Sequence, residues 1–379
     1  MDLVATVTLL GIVQGFFMGG LLILSKGPNR RANRFLGALF ISYSLSILHF
    51  FLDRSGLYSQ VPHLMRIGLP VLFLIGPLFY FYVKVLTDRT IVLRLRDLLH
   101  AIPFLLFVVA MVPFYLSSRE EKLVEIGRLK IFATEPGFLV VATIQALHIF
   151  AYMIAVRGIL SQYDQKIRNT KSSLEQINLR WLRTGTTLYL VVFGFILLLT
   201  TLQAFGVPTV ELYNISIPLI VTAIIYGLGY MGLRQPEIFS PAEEMAAGKK
   251  YEKSTLTPEL VREYAGRVKG HVETQKPYLN SELTLPGLAD LVGIPAYQLS
   301  QVINESLGAN FFDFINGYRV EEAKRLFKDP SKSAFTILAI AEEAGFNSKS
   351  AFNASFKRFT GQTPSEFRQN LQKTNLLAA

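Results

Sequence analysis

The chain has 379 residues, 51% of them hydrophobic and 17% charged, with a formal net charge of +10 and a mean hydropathy of +0.35. This is too apolar for an ordinary soluble protein and places the larger part of the chain in lipid. With no cysteine, disulfide frameworks, thiolate zinc sites and cysteine nucleophiles are excluded.

Apolar stretches long enough to cross a hydrocarbon core, which takes about 20 helical residues, lie near residues 3–25, 32–52, 67–86, 97–116, 136–158, 184–206 and 212–233. The first starts directly after Met1 and Asp2 without a basic flank, so it reads as a retained span; a cleaved signal, leaving six spans, is the alternative. The loops after the first, third and fifth spans, including Lys26, Arg30, Lys84, Arg94, Arg157 and Lys166, hold fourteen Lys and Arg, against six after the second, fourth and sixth. The bias puts the N-terminus outside and everything after Arg234 in the cytoplasm.

Within the spans, Gly11, Gly15 and Gly19 form overlapping GxxxG steps, which serve packing inside the bundle or self-association of two copies. Gln14, His49, Gln145, His148, Gln203 and Asn214 are polar where polarity is costly, so they are expected to face the bundle interior or a cavity. Some of them could line a ligand pocket; interhelical hydrogen bonding without a ligand is the plainer reading. Pro70, Pro77, Pro103, Pro113 and Pro218 can kink or interrupt spans. GLGYMG at Gly227 to Gly232 fits GxGxxG, but no strand precedes it, and it reads as close helix packing rather than a nucleotide site.

These spans make residues 1–233 a membrane domain. Residues 234–256, with Pro236, Pro241 and Gly248, read as a polar connector. A helical domain over 257–379 follows. Thr257 and Pro258 offer an N-cap and first helical position, and further helices are predicted at Leu285 to Val292, Tyr297 to Ser306, Phe311 to Phe327, Ile337 to Ala344 and Lys349 to Phe359. With no strand candidate, the expected fold is all-α throughout.

Two of the gaps are tight turns. In the first pair Leu288 and Leu291 precede Gly293, and Leu299, Val302 and Ile303 bury the second helix, leaving Tyr297, Gln298, Ser300 and Gln301 facing out. In the second, Ile337, Ile340 and Ala341 precede Gly345, and Phe352 and Phe356 are buried while Lys349, Ser350, Asn353 and Lys357 point outward. Short polar side chains on an exposed helix suit base edges in the major groove, and lysines suit phosphates. By periodicity alone, a plain helical hairpin fits equally well.

The motifs LSQVINESLGANFFDFINGYRVEEAKRLF and GFNSKSAFNASFKRFTGQTPSEFR narrow the choice. Over about residues 257–372 the chain resembles the DNA-binding domain of the AraC/XylS family of bacterial transcription regulators. That resemblance implies two helix-turn-helix units joined by a long helix, with recognition helices entering successive major grooves. Positions similar to the family's base-contacting sites are Tyr297, Ser300 and Gln301, then Lys349, Ser350 and Asn353. The first unit departs from the commoner pattern at Gln301 and Asn304, where basic residues often stand.

In the membrane half, GIVQGFF, RANRFLGALF, GPLFYFYVKVL and YGLGYMGLRQPEIF resemble membrane-embedded AraC-type regulators. The implied protein is a one-component regulator in the bacterial inner membrane. Its partners would be double-stranded DNA, the lipid bilayer, a small-molecule or lipid signal and a second copy of itself as a homodimer. A transporter with a regulatory DNA-binding tail is the alternative. No enzyme activity, cofactor or metal is expected, since His49, His63, His100, His148 and His271 show no ligand spacing.

Overall fold

The computed structural model describes residues 2–26, 29–132, 136–174, 179–234 and 256–378. It is helical, with no strand among the described residues beyond one isolated antiparallel bridge, Lys171 to Thr284. The chain divides into two compact units, Met1–Ser161 with Leu179–Ala242, and Gln162–Asn178 with Glu243–Ala379.

The first unit contains α1 (Leu3–Leu24), α2 (Arg30–Arg54), α3 (Gly68–Thr87), α4 (Ile102–Leu116), α5 (Arg119–Phe132), most of α6 (Pro136–Arg168), α7 (Arg180–Ala204) and α8 (Val210–Arg234). Seven helical segments among the described residues are long and apolar enough to cross a membrane, from Leu3–Leu24 to Val210–Met231. They coincide with the expected spans to within a few residues at most ends. Helix α5 is additional: REEKLVEIGRLKIF carries too much charge to read as a span. No residue of α4 is buried, although the helix is apolar on all sides.

Helix α1 packs on α2 and α8, and α2 on α3. Close approach of helix backbones supplies van der Waals contact at such crossings. The glycines of α1 provide it. A Cβ on Gly15 would collide with the Ser44 hydroxyl, and one on Gly19 would lie 2.7 Å from Ile41 Cγ1 and 2.9 Å from the Gly37 carbonyl oxygen. One on Gly11 would run into Thr222 of α8. The GxxxG stripe is thus filled by the chain's own helices, and Gly229, from the GLGYMG segment, faces Met18 of α1. Three helix ends are tied by Arg54, which pairs with Asp2 at 2.5 Å and Glu211 at 3.4 Å.

The second unit contains α9 (Pro258–Gln275), α10 (Leu285–Val292), α11 (Ala296–Gln301), α12 (Phe311–Lys328), α13 (Ile337–Glu343), α14 (Lys349–Thr360) and α15 (Pro364–Ala378). Its two cores share α12. Phe311, Phe314 and Ile315 at the helix start join Leu288, Val292, Leu299 and Ile303, whereas Val320, Ala323 and Leu326 join Ile340, Phe346, Phe352 and Phe356. One helix therefore fixes two subdomains. Helix α15 was not anticipated from the sequence. Apart from Arg234 and Leu256, the connector expected at 234–256 lies outside the described residues.

Candidate nucleic-acid interface and bundle cavity

The first helix pair is set by its turn. The Thr284 hydroxyl accepts from the Gly287 amide at 3.2 Å, and Gly293 closes α10 at φ 64, a left-handed conformation that glycine adopts without steric cost. Helix α11 follows at once and continues into a wider π turn, Val302–Ser306, against which α9 packs. Tyr297 is 51% exposed and Ser300 half-buried.

Gln298 and Gln301 do not face out as expected: each is only 8% exposed. Gln301 Nε2 donates to Glu305 Oε2 at 2.9 Å, so the amide lies along its own helix, one turn on, instead of projecting from it. Leu291, expected inside, is 54% exposed, and Ala289 and Val292 take its place in the core. Helix α10 is short enough that a shift of one residue in the apolar stripe exchanges these positions.

The second pair keeps the expected face. Thr336 and Ser348 cap α13 and α14 through bonds of 3.1 Å from the Ala339 and Ala351 amides. Gly345, at φ 90, is pressed against backbone: a Cβ there would strike the Tyr278 carbonyl and lie 2.8 Å from Leu279 Cα. Phe352 and Phe356 anchor α14 beneath the surface with their rings 5.4 Å apart. On the other side Lys349, Ser350 and Lys357 are exposed and Asn353 is half-buried, which makes one continuous polar face of an exposed helix. Arg358 pairs with Asp313 at 2.6 Å and thereby ties this helix to the start of α12.

At the joint between the two subdomains stands Arg319, 1% exposed. Its Nε donates to the Tyr278 carbonyl at 2.7 Å. Nη1 donates to the Ser172 carbonyl and to Asn316 Oδ1, each at 3.1 Å, and Nη2 to the Asn280 carbonyl at 2.7 Å and the Ser172 hydroxyl at 3.2 Å. Burial pulls its pKa down to about 10, which still leaves it charged at neutral pH. Such a charge is tolerated because every donor direction meets an acceptor.

Ser172 lies in the stretch joining the fifth and sixth candidate spans, and its neighbours are stitched to the same place. The Leu285 amide donates to the Thr170 carbonyl at 3.0 Å, and the Ser172 hydroxyl to the Leu283 carbonyl at 2.6 Å. Sequence reading missed this hub. Arg319 stands in the apolar stripe of α12, four residues from Ile315 and from Ala323, and that placement was its one legible signal.

In the first unit, a cavity of about 160 Å³ is lined by His49, Gln145, Gln203 and Asn214, four of the six polar residues singled out in the spans. His49 Nδ1 is 2.7 Å from the Tyr58 hydroxyl, and Gln145 Nε2 donates to the Leu69 carbonyl at 2.9 Å, so both also serve packing. His148 lines a separate cleft with His100 and Tyr152. Gln14 lines neither. No group of three or more His, Cys, Asp or Glu able to hold a metal occurs among the described residues.

Comparison with known proteins bears on the C-terminal unit. Residues 288–370 match the family described as a helix-turn-helix domain. An uncharacterized HTH-type transcriptional regulator of Staphylococcus aureus (strain COL) is 38% identical over 91 residues, which is 24% of this chain and 12% of that protein. The Msm operon regulatory protein of Streptococcus mutans serotype c is 26% identical over 109 residues, 29% of this chain and 37% of that protein. The chain thus spans a small part of the length of the relatives it matches. No solved structure matches it significantly.

Proposed function

We propose that this chain, which carries an AraC-type helix-turn-helix domain over residues 288–370, is a membrane-anchored one-component transcription regulator. The observation that carries the reading is the polar face of α14, held outward by the Phe352 and Phe356 anchors, in the same chain as seven helices of membrane-crossing length. In this reading Lys349, Ser350 and Asn353 reach base edges in one major groove, and Lys357 meets a phosphate. Tyr297 and Ser300 read a second groove. Gln301, held by Glu305, acts there as support for the helix rather than as a base contact.

The fourteen-to-six bias of Lys and Arg between alternate loops supports a protein of the bacterial inner membrane with its N-terminus outside and its DNA reader in the cytoplasm. The bundle senses a small-molecule or lipid signal, and the Gln162–Asn178 stretch carries the response to Arg319. Two copies binding adjacent sites would gain effective concentration from sharing one membrane.

Genome-wide DNA occupancy of the full-length protein, beside a variant with Lys349→Ala, Ser350→Ala and Asn353→Ala, tests the reading. Sharp sites that vanish in the variant are expected. Sites that persist unchanged would remove α14 as the reader.

A further inference from the structure

Two side-chain pairs hold the charged helix α5 to the segment before α3. Arg66, in a left-handed conformation at φ 62, donates to Glu125 at 3.1 Å and lies over the Phe114 ring at 4.2 Å. One turn earlier on α5, Lys122 donates to the Tyr115 carbonyl at 2.8 Å and meets His63 Nδ1, in the Pro62–Leu64 turn, at 3.0 Å. Lys122 is 1% exposed, whereas His63 is open to its surroundings.

The second pair is selective for protonation state. An ammonium has only donors, so in this contact Nδ1 supplies the lone pair and the imidazole is neutral. A second proton on the ring would set two cations 3.0 Å apart and remove one of the two hydrogen-bond acceptors of the buried ammonium. A buried charge left so poorly partnered is costly. Because Lys122 belongs to α5, relieving that cost draws the start of the helix off the turn.

The groups around the pair do not take over its role. Glu125 is held by Arg66, and Glu121 accepts from the Ser118 amide at 2.8 Å. The Tyr115 hydroxyl donates to the Arg66 carbonyl at 3.2 Å. In the neighbouring Leu57–Ser59 turn, the Tyr58 hydroxyl is 2.7 Å from His49 Nδ1, and Arg119 donates to the Ser59 carbonyl at 3.4 Å. Glu120, exposed on α5, interacts electrostatically with His63 and favours its charged form. His63 thus stands between a lysine that needs it neutral and a glutamate that favours it protonated. Histidine is the side chain that ordinarily changes charge between about pH 5 and 8, a range in which proton uptake acts before carboxylates are titrated.

We propose that His63 and Lys122 form an acid-released latch, in which protonation of the imidazole breaks the contact and frees the first turns of α5 from the Pro62–Leu64 turn. In the proposed orientation this face lies outside the membrane, so the inference goes beyond a small-molecule or lipid signal by adding external acidity as an input. It rests on that orientation for the side that is sensed, not for the latch itself.

The experiment measures amide exchange of Leu123 to Ile126 in the full-length protein in lipid nanodiscs, at about pH 7.5 and about pH 5.5, on either side of the ordinary histidine value. Protection, corrected for the intrinsic pH dependence of exchange, should fall about tenfold or more at the lower pH, the scale of one buried polar group left unsatisfied. His63→Asn keeps a neutral acceptor at an exposed position and should stay protected at both values. His63→Arg, a fixed cation, should show the lower protection at both. Equal wild-type protection at the two values, or a His63→Asn variant that loses protection on acidification as the wild type does, would overturn the proposal. Release in nanodiscs with no change in reporter output when intact cells are moved to acidic medium would uphold the latch and remove only its role as an input from outside.

Discussion

Ser172 and Arg319 stand 147 residues apart in the chain, yet the guanidinium of one donates to both the carbonyl and the hydroxyl of the other. The serine lies between two candidate membrane spans and the arginine on the helix shared by both helix-turn-helix subdomains. In the proposed regulator, this pair is where the stretch after α6 meets the joint between the two subdomains.

Ser172→Ala removes the hydroxyl's bonds to Leu283 and Arg319, about 0.5–1.5 kcal/mol each, while the backbone contacts at Thr170 and Ser172 persist. Amide exchange around residues 280–285 of the full-length protein should quicken, and signal-dependent reporter induction should shrink while promoter occupancy is retained. Arg319→Met should do more, because the Tyr278 and Asn280 carbonyls lose a charged donor inside the domain, at about 1–3 kcal/mol for each group left unsatisfied. Unchanged exchange and induction in both variants would remove the coupling role.

The recognition helices should divide their labour. Asn353→Ala is expected to relax sequence preference at one base pair at a cost of about 1–3 kcal/mol, whereas Lys357→Ala should weaken all sequences alike and lower the salt slope by about 1. Gln301→Ala, by contrast, should leave base preference in place, because its amide is engaged by Glu305. Mobility-shift titrations over a salt series against a randomised site would separate these outcomes. A changed base preference for the Gln301 variant would return that residue to the reading face.

Glu322 should give the C-terminal unit an acid-sensitive component of stability. Hydrogen bonds from Arg325 at 2.7 Å and Lys276 at 3.1 Å hold its carboxyl below the usual glutamate range. A carboxyl whose pKa is lower folded than unfolded stabilises above its unfolded pKa, and that contribution is lost as pH falls through the folded value. Glu322→Gln should therefore lower the melting temperature at neutral pH, by a margin that shrinks as pH drops below the ordinary glutamate range. A margin constant across that range would show that the ion pairs contribute nothing.

Gly15→Ile should disrupt the bundle itself. Even a Cβ collides with the Ser44 hydroxyl and comes within 3.2 Å of the Phe40 carbonyl oxygen, and overpacking of this kind costs about 1–3 kcal/mol or more. Earlier unfolding in mild detergent is expected. A variant of normal stability but altered oligomer size would instead place the stripe between two copies.

The periodicity that reveals a helix is local, and so the spans, the capped helices of the C-terminal unit and the exposed face of α14 could be read from residues alone. Lys349, Ser350 and Lys357 project because Phe352 and Phe356 occupy the opposite side of the same short helix. Gln301 was misplaced because its helix widens into a π turn and its amide bonds along the helix, which no pattern of apolar residues encodes. The six polar span residues were legible as unusual; which four share a cavity depends on how helices distant in sequence rotate against one another. Arg319 stood visibly in an apolar stripe, but its partner did not. Sequence by itself determined most of the elements, their order and the polar face of α14, since these follow from burial and spacing within single helices. Only the tertiary structure decided that Ser172 satisfies Arg319 and that α1 packs its glycines inward, because a buried hydrogen bond or a backbone contact is set by distance in space, and spacing along the chain carries no record of it.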